Sequence, residues 1–166
     1  MIRQATSHDI KALADIGLTT FLETYAHLNT PENMEKYLVG KFTEESIGLE
    51  MNETGTIFLV EEEHQALLSY AKMRVNLTEM PDPKAIELER FYVKKTAQGQ
   101  KLGKKMIDAC IEMAKNQDFN LFWLGVWEHN HKAIGFYEAM GFTQFGKHVF
   151  QLGDDAQTDF LMKKQI

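Results

Sequence analysis

The stretch LFWLGVW, Leu121–Trp127, has no polar side chain anywhere along it. It is too short for a helix core, and its aromatic and β-branched residues read as a strand. A strand with no polar side must be covered on both faces, so the chain is expected to fold in layers, with elements packed above and below a sheet. Seven residues are also far fewer than the ~18 a membrane span needs, and no other run comes closer.

The rest of the chain supplies those layers. Ile2–Ala5 reads as a short first strand, and Thr6, Ser7 and Asp9 offer caps for a helix with Ile10, Leu13, Ile16 and Leu18 at near-helical spacing. Thr30-Pro31-Glu32 is a strong helix start, with Met34, Tyr37 and Leu38 as the buried face. A further short helix is expected from Thr43 to Met51. The period then changes to strands at Thr56–Val60, Ala66–Val75 and Ala85–Val93. From about Lys101 a helix follows, with Leu102, Met106, Ala109, Cys110 and Met113 on one stripe. After Leu121–Trp127, Asn130 caps a helix through Met140, which Gly141 ends with Phe142 placed for a Schellman-type contact. Phe145–Leu152 and Thr158–Lys163 are expected to close the chain as a hairpin across GDDAQ. An antiparallel meander leading into a strand–helix–strand crossover makes the class mixed α/β (α+β): a mostly antiparallel, twisted sheet of about six to seven strands with helices on both faces, in a single domain over residues 1–166.

Charge and cysteine content limit the functions. The 18 Lys and Arg against 24 Asp and Glu leave a net charge of −6, which argues against general nucleic-acid binding and suits a cationic small molecule better. The N-terminal MIRQATSHDIKALAD lacks the apolar core of a signal peptide. Cys110 is the only cysteine, so no internal disulfide is expected and a reducing cytoplasm is the simplest setting. Its place on an apolar stripe favours a buried thiol over a nucleophile. His129 and His131 flank Asn130, but with no cysteine nearby and no second ligand pair they read as solvated or loop-supporting, and no metal is expected.

The turn from Thr96 to Gly103 lies between a strand and the start of a helix. Backbone N–H groups at a helix N-terminus favour an anion, Gly99 and Gly103 permit close approach, and lysines 94, 95, 101, 104 and 105 surround them. Two readings fit these residues: a pyrophosphate cradle, or a glycine turn beside a solvated lysine face. The loop matches neither a Walker nor a Rossmann phosphate motif.

Taken together, ELERFYVKKTAQGQKLGKKMI resembles motif A of the GNAT acyl-CoA-dependent N-acetyltransferases, whose core is Arg/Gln-x-x-Gly-x-Gly/Ala. Downstream, LGVWEHNHKAIGFYEAMGF resembles that family's motif B. A nearer resemblance, to bacterial polyamine acetyltransferases of the PaiA type, rests on TFLETY, NTPENMEKYL, LGVWEHNHKAIGFY and FQLGDDAQTDFLM. The resemblance implies that acetyl-CoA is held by Phe91, Tyr92 and Val93, by Gln98, Gly99, Gln100, Lys101, Leu102, Gly103 and Lys104, and by Asn130, Ala133, Phe136 and Tyr137. One position departs from the family: Lys101 stands where glycine is usual. A left-handed lysine there would be strained by roughly 1–2 kcal/mol; the expectation is instead that Lys101 is already helical and free to contact a phosphate.

Acetyl transfer to an amine needs a group to take a proton from an ammonium of pKa about 10, a fixed donor for the carbonyl oxygen, and an acid for the departing sulfur. Glu89 is the candidate base and Glu87 the second choice, since residues two apart on a strand share a face; the alternative reading is that both carboxylates only pair with Arg90 or Lys94. The resemblance implies an oxyanion donor among the backbone N–H groups near Phe91–Val93, and Tyr137 as the acid; on residue type alone Tyr137 also reads as a core aromatic beside Phe136. Asn130 is expected both to cap its helix and to touch the cofactor. With no second cysteine, direct transfer in a ternary complex is the simpler course.

The resemblance places the acceptor between the first helices and the last hairpin. Glu23, Tyr25, Asn29, Glu87, Trp127 and Glu128 are the candidate contacts to a polyamine such as spermidine or spermine. Trp123 and Trp127 also read as packing residues on a core strand. The other readings are acetylation of a protein N-terminus or an amine drug, or a CoA-binding sensor without turnover. The C-terminal hairpin is a candidate surface for a homodimer.

Overall fold

The computed structural model describes residues 1–166. Its strands are β1 (Ile2–Gln4), β2 (Thr56–Glu63), β3 (Ala66–Arg74), β4 (Ala85–Val93), β5 (Leu121–Trp127), β6 (Thr143–Leu152) and β7 (Asp155–Gln165). They form one sheet in the order β1-β2-β3-β4-β5-β7-β6. Every neighbouring pair is antiparallel except β4 and β5. The helices are α1 (Ile10–Tyr25), α2 (Pro31–Leu38), α3 (Glu44–Met51), α4 (Leu102–Asn116) and α5 (His131–Ala139). This is the mixed, mostly antiparallel α/β architecture that the periodicities predict. The closing hairpin is longer than its sequence suggests: Asp155, Ala156 and Gln157 belong to β7, and the turn shrinks to Gly153-Asp154.

Side-chain alternation assigns the two faces. On one, Ile57, Leu59, Ala71, Met73, Ile86, Leu88, Phe122, Leu124 and Val126 pack with Met106, Ile107, Cys110 and Ala114 of α4 and Tyr137 of α5. On the other, Phe58, Val60 and Tyr70 pack with Leu13, Ile16 and Ile47 of α1 and α3. Leu121–Trp127 is therefore covered on both sides for most of its length, with exposed Gly125 as the exception.

One irregularity shapes the centre. The β3–β4 register slips between Lys72 and Met73, which oppose Arg90 and Leu88, so Glu89 is an extra residue in β4. Such a bulge bends its strand and increases its twist. The parallel pairing of β4 with β5 stops at Leu88 and Leu124, although β4 runs on to Val93 and β5 stays paired with β7 as far as Trp127 and Asp159. A seam opens between the two central strands. No helix is long and apolar enough to cross a membrane.

Candidate active site

The seam exposes backbone. The Lys94 N–H bonds the Leu68 carbonyl at 2.9 Å; alternation along the ladder then turns the N–H groups of Arg90 and Tyr92 to β3, and those of Phe91 and Val93 into the gap. Beyond β4 a helical turn at Lys95–Ala97 leads into the glycine loop. From residue 99 to residue 104 no backbone N–H has an acceptor in the protein. Gly99 (φ +84°) and Lys101 (φ +59°) are both left-handed, and alternation of hand is what makes successive N–H groups converge into an anion-binding nest. Lys101 is thus not helical, contrary to the sequence-based expectation: it is the residue before α4, and its hand reverses the chain into the helix. The strain of a left-handed lysine is accepted for that turn. From α5, Lys132 Nζ reaches Gln98 Oε1 at 3.3 Å, while Gln98 Nε2 donates to the Val93 carbonyl at 3.4 Å. Lys132 therefore adds a cation to the loop that the motif did not single out. On the helix beneath, a side chain at Gly103 would meet Phe136 at 3.4 Å and Phe91 at 3.7 Å, so α4, α5 and β4 pack closely here.

Helix α5 carries the candidates Ala133, Phe136 and Tyr137, with Asn130 as its cap. Asn130 Oδ1 accepts from the Ala133 N–H at 3.2 Å as its cap. At the other end, Phe142 N–H donates to the Tyr137 carbonyl at 3.0 Å and Gly141 N–H to that of Glu138 at 2.9 Å; this is the Schellman arrangement, with the Phe142 ring 5.6 Å from that of Tyr137. The helix end thus fixes Tyr137. Burial pushes its hydroxyl well above the ordinary tyrosine value, so it carries its proton at neutral pH. Below it, Cys110 is buried and its thiol is pushed up to about 12 by loss of solvent alone, which leaves it unreactive.

On the opposite face the candidate carboxylates occupy a charge network. Because of the bulge, Glu87, Glu89 and Arg90 all turn to the α1–α3 side. Glu87 accepts from Arg74 Nε at 2.8 Å and Asn76 Nδ2 at 2.9 Å. Glu89 lies between Lys72 Nζ and Arg74 Nη1, the latter at 3.0 Å. Arg90 grips Glu50 of α3 through two bonds of 2.7 and 3.0 Å, and Lys72 bridges Glu50 at 2.8 Å. Burial acts to raise the Glu50 carboxyl, but the bonds from Arg90 and Lys72 outweigh it and hold the group below the ordinary range. The partners of Glu87 and Glu89 are Lys72, Arg74 and Asn76 rather than the Arg90 or Lys94 that spacing suggests, and Arg90 pairs with Glu50 instead.

Next to this network lies a groove between α1, α2 and the β6–β7 hairpin. Tyr25 tilts against Trp127 at 5.8 Å. Asn29 Oδ1 accepts from Gln157 Nε2 at 2.9 Å. Asp154 N–H donates to Asn33 Oδ1 at 3.0 Å and its carboxylate meets Lys36 at 2.6 Å, which docks the hairpin turn on α2. Of the proposed acceptor residues, Tyr25, Asn29 and Trp127 come together here. Glu87 is buried in the network, Glu128 sits near His129 at 3.7 Å, and Glu23 lines a separate pocket of about 300 Å3 with Lys94, Lys95 and Thr96. The groove also contains Asp159, His148 and Glu79, which sequence reasoning did not identify: His148 Nε2 lies 3.4 Å from Asp159 and its Nδ1 3.6 Å from Glu79.

Comparison with known proteins agrees with this geometry. Residues 12–142 match the Acetyltransferase (GNAT) family. The chain belongs to the GNAT family. An uncharacterized N-acetyltransferase of Lactobacillus delbrueckii subsp. lactis is 37% identical over 167 residues, covering 99% of this chain and 96% of that one. A probable spermine N(1)-acetyltransferase of Bacillus subtilis subsp. natto is 39% identical over 64 residues, 38% of this chain and 42% of the other. Among solved structures, PaiA N-acetyltransferase of Thermoplasma acidophilum, in complex with coenzyme A, superposes with a TM-score of 0.78 at 21% identity over 100% of this chain and 98% of its own. A ribosomal-protein-alanine N-acetyltransferase of Brucella melitensis also gives 0.78, at 24% identity over 100% and 99%. As a GNAT enzyme the chain is an N-acetyltransferase with the family's fold.

Proposed function

We propose that this GNAT enzyme transfers the acetyl group of acetyl-CoA directly to a primary amine, with a polyamine such as spermidine or spermine as the favoured acceptor. The observation that carries the reading is the seam: the β4–β5 ladder parts after Leu88 and Leu124, next to a loop whose N–H groups at residues 99–104 have no acceptor. Such a loop fits a pyrophosphate, with Gln98, Gly99, Gln100, Lys101, Leu102, Gly103 and Lys104 around it and Lys132 beside it. The turned-out N–H groups of Phe91 and Val93 fit the amides of a pantetheine arm and the thioester oxygen, alongside Tyr92, Asn130, Ala133 and Phe136. When bound, acetyl-CoA supplies an activated acyl group on a thiolate leaving group. The chain's own part is to align that group, shield it from water and move protons. Tyr137, protonated and held by its helix end, gives a proton to the departing sulfur.

Support for a cationic acceptor comes from the groove on the other side of the seam. Asp159 and Glu79 supply negative charge, and Tyr25, Tyr37 and Trp127 supply aromatic walls for an alkylammonium chain. The partial match to a relative named as a probable spermine acetyltransferase points the same way.

The test is release of free CoA from acetyl-CoA with spermidine, spermine, an aminoglycoside and a peptide beginning with alanine, using wild type and Tyr137→Phe. The fastest turnover is expected with a polyamine, falling by roughly 10²–10³ in the variant. Preference for the alanine peptide would replace the acceptor. No turnover with any amine would overturn the reading.

A further inference from the structure

We infer that Asp159, positioned by His148 and reached through the notch at Gly125, is the group that takes the proton from the acceptor's ammonium. This rests on the acetyltransferase reading above and assigns the base within that site.

The inference begins with a glycine in an otherwise bulky strand. Gly125 is the first residue of β5 beyond the point where β4 parts from it. A glycine within a strand often marks a place where something approaches closely. Here a Cβ would come within 3.3 Å of Asp159 Oδ2 and 3.6 Å of His148 Nε2. The missing side chain thus leaves open the passage from the groove to the seam, with the Asp159 carboxylate at its edge. Trp123, two residues earlier on the same face of β5, is 1% exposed, and its indole N–H has no partner.

Asp159 is only lightly held. Its side chain is 15% exposed, and its one partner is His148, at the long distance of 3.4 Å. The other imidazole nitrogen, Nδ1, is buried without a hydrogen bond, facing Glu79 from 3.6 Å. The remaining titratable groups around Asp159 are the hydroxyls of Tyr25 from α1 and Tyr37 from α2, and burial pushes both upward. Burial likewise raises the Asp159 carboxyl above the ordinary carboxylate value, and His148 only partly opposes it. Such a group takes up a proton more readily than a solvated carboxylate and suits a base. Glu89 is in the opposite condition. Both of its oxygens meet cations, and protonating it would leave Lys72 and Arg74 facing a neutral acid inside the protein.

In the proposed step the ammonium gives one proton to Asp159. The freed lone pair forms the C–N bond to the thioester carbonyl carbon, and the C–S bond breaks. The sulfur takes the Tyr137 proton, the second N–H proton restores that hydroxyl, and Asp159 returns its proton to solvent. One proton is released per acetyl group transferred.

The test is the pH dependence of kcat and KM with spermine, from pH 6 to pH 10, for wild type, Asp159→Asn and His148→Gln. Asp159→Asn is expected to lower kcat by roughly 10²–10³ at neutral pH, with the deficit shrinking as the pH approaches the amine's own pKa and free amine becomes available. His148→Gln removes the partner that favours the ionised carboxylate, so the acid limb of the profile is expected to move to higher pH. Gly125→Ala, which closes the notch, is expected to impair use of the amine while acetyl-CoA binding, followed by calorimetry, persists. An Asp159→Asn enzyme with wild-type kcat and profile would overturn the assignment, as would one altered only in KM for the amine. A wild type inactive on every amine would instead defeat the acetyltransferase reading itself.

Discussion

Where β3 and β4 meet α3, Glu50, Glu87 and Glu89 contact Lys72, Arg74 and Arg90 in a continuous chain, with the Lys72 side chain 3% exposed. On β5, β6 and β7 of the same face, Asp159 has one long contact, and the Trp123 N–H and His148 Nδ1 have none. Both regions are largely buried and both are polar. A network in which every carboxylate meets a cation holds its members in place and resists any change in their charge. A region with spare donors and acceptors has capacity left for a ligand or a proton. Electrostatic saturation therefore divides this face into a part that supports the bulge and the seam, and the part where the proposed chemistry takes place.

Removing one charge from each side breaks the comparison most sharply. Lys72→Met leaves two carboxylates short of a partner inside the protein and is expected to cost about 3–5 kcal/mol, seen as a fall of roughly 10 °C in the melting temperature. Asp159→Asn removes a poorly paired buried charge and is expected to leave the melting temperature close to wild type, so its loss of activity would not come from misfolding. Equal melting temperatures for Lys72→Met and wild type would remove the distinction. A smaller effect is expected in the loop: Lys101→Gly relieves the left-handed strain and should stabilise the protein by about 1 kcal/mol or less, measured by denaturant unfolding, with acetyl-CoA affinity little changed.

Much of the scaffold is legible in the sequence because local rules and tertiary packing agree. Thr30-Pro31 and Asn130 start their helices as their chemistry suggests, and Gly141-Phe142 ends α5 with both Schellman bonds. The misreadings arise where local preference yields to geometry. Lysine has no tendency to be left-handed, and Lys101 is so because the turn into α4 requires it. Asp155–Gln157 looks like a loop, yet pairing with β6 carries it into a strand. Glu23 and Tyr25 are neighbours in sequence, but the helical period sends Tyr25 to the Phe21 side and Glu23 toward Lys94.

The surroundings of Asp159 are hidden in the sequence for a topological reason. Strand β7 lies between β5 and β6, which puts Asp159 across from both Trp127 and His148. Nothing in the local pattern of QTDFLMKK reveals those neighbours. The one available signal was Gly125, an absent side chain in a strand that otherwise fills both faces.

The central claim is that the open seam and its unpartnered loop form an acyl-CoA site. Isothermal titration of the protein with acetyl-CoA tests it without reference to any acceptor. Saturable binding at one site per chain is predicted, weakened by Lys101→Pro, which removes a loop N–H and cannot adopt a positive φ. Absence of saturable binding to the folded wild type would contradict the account.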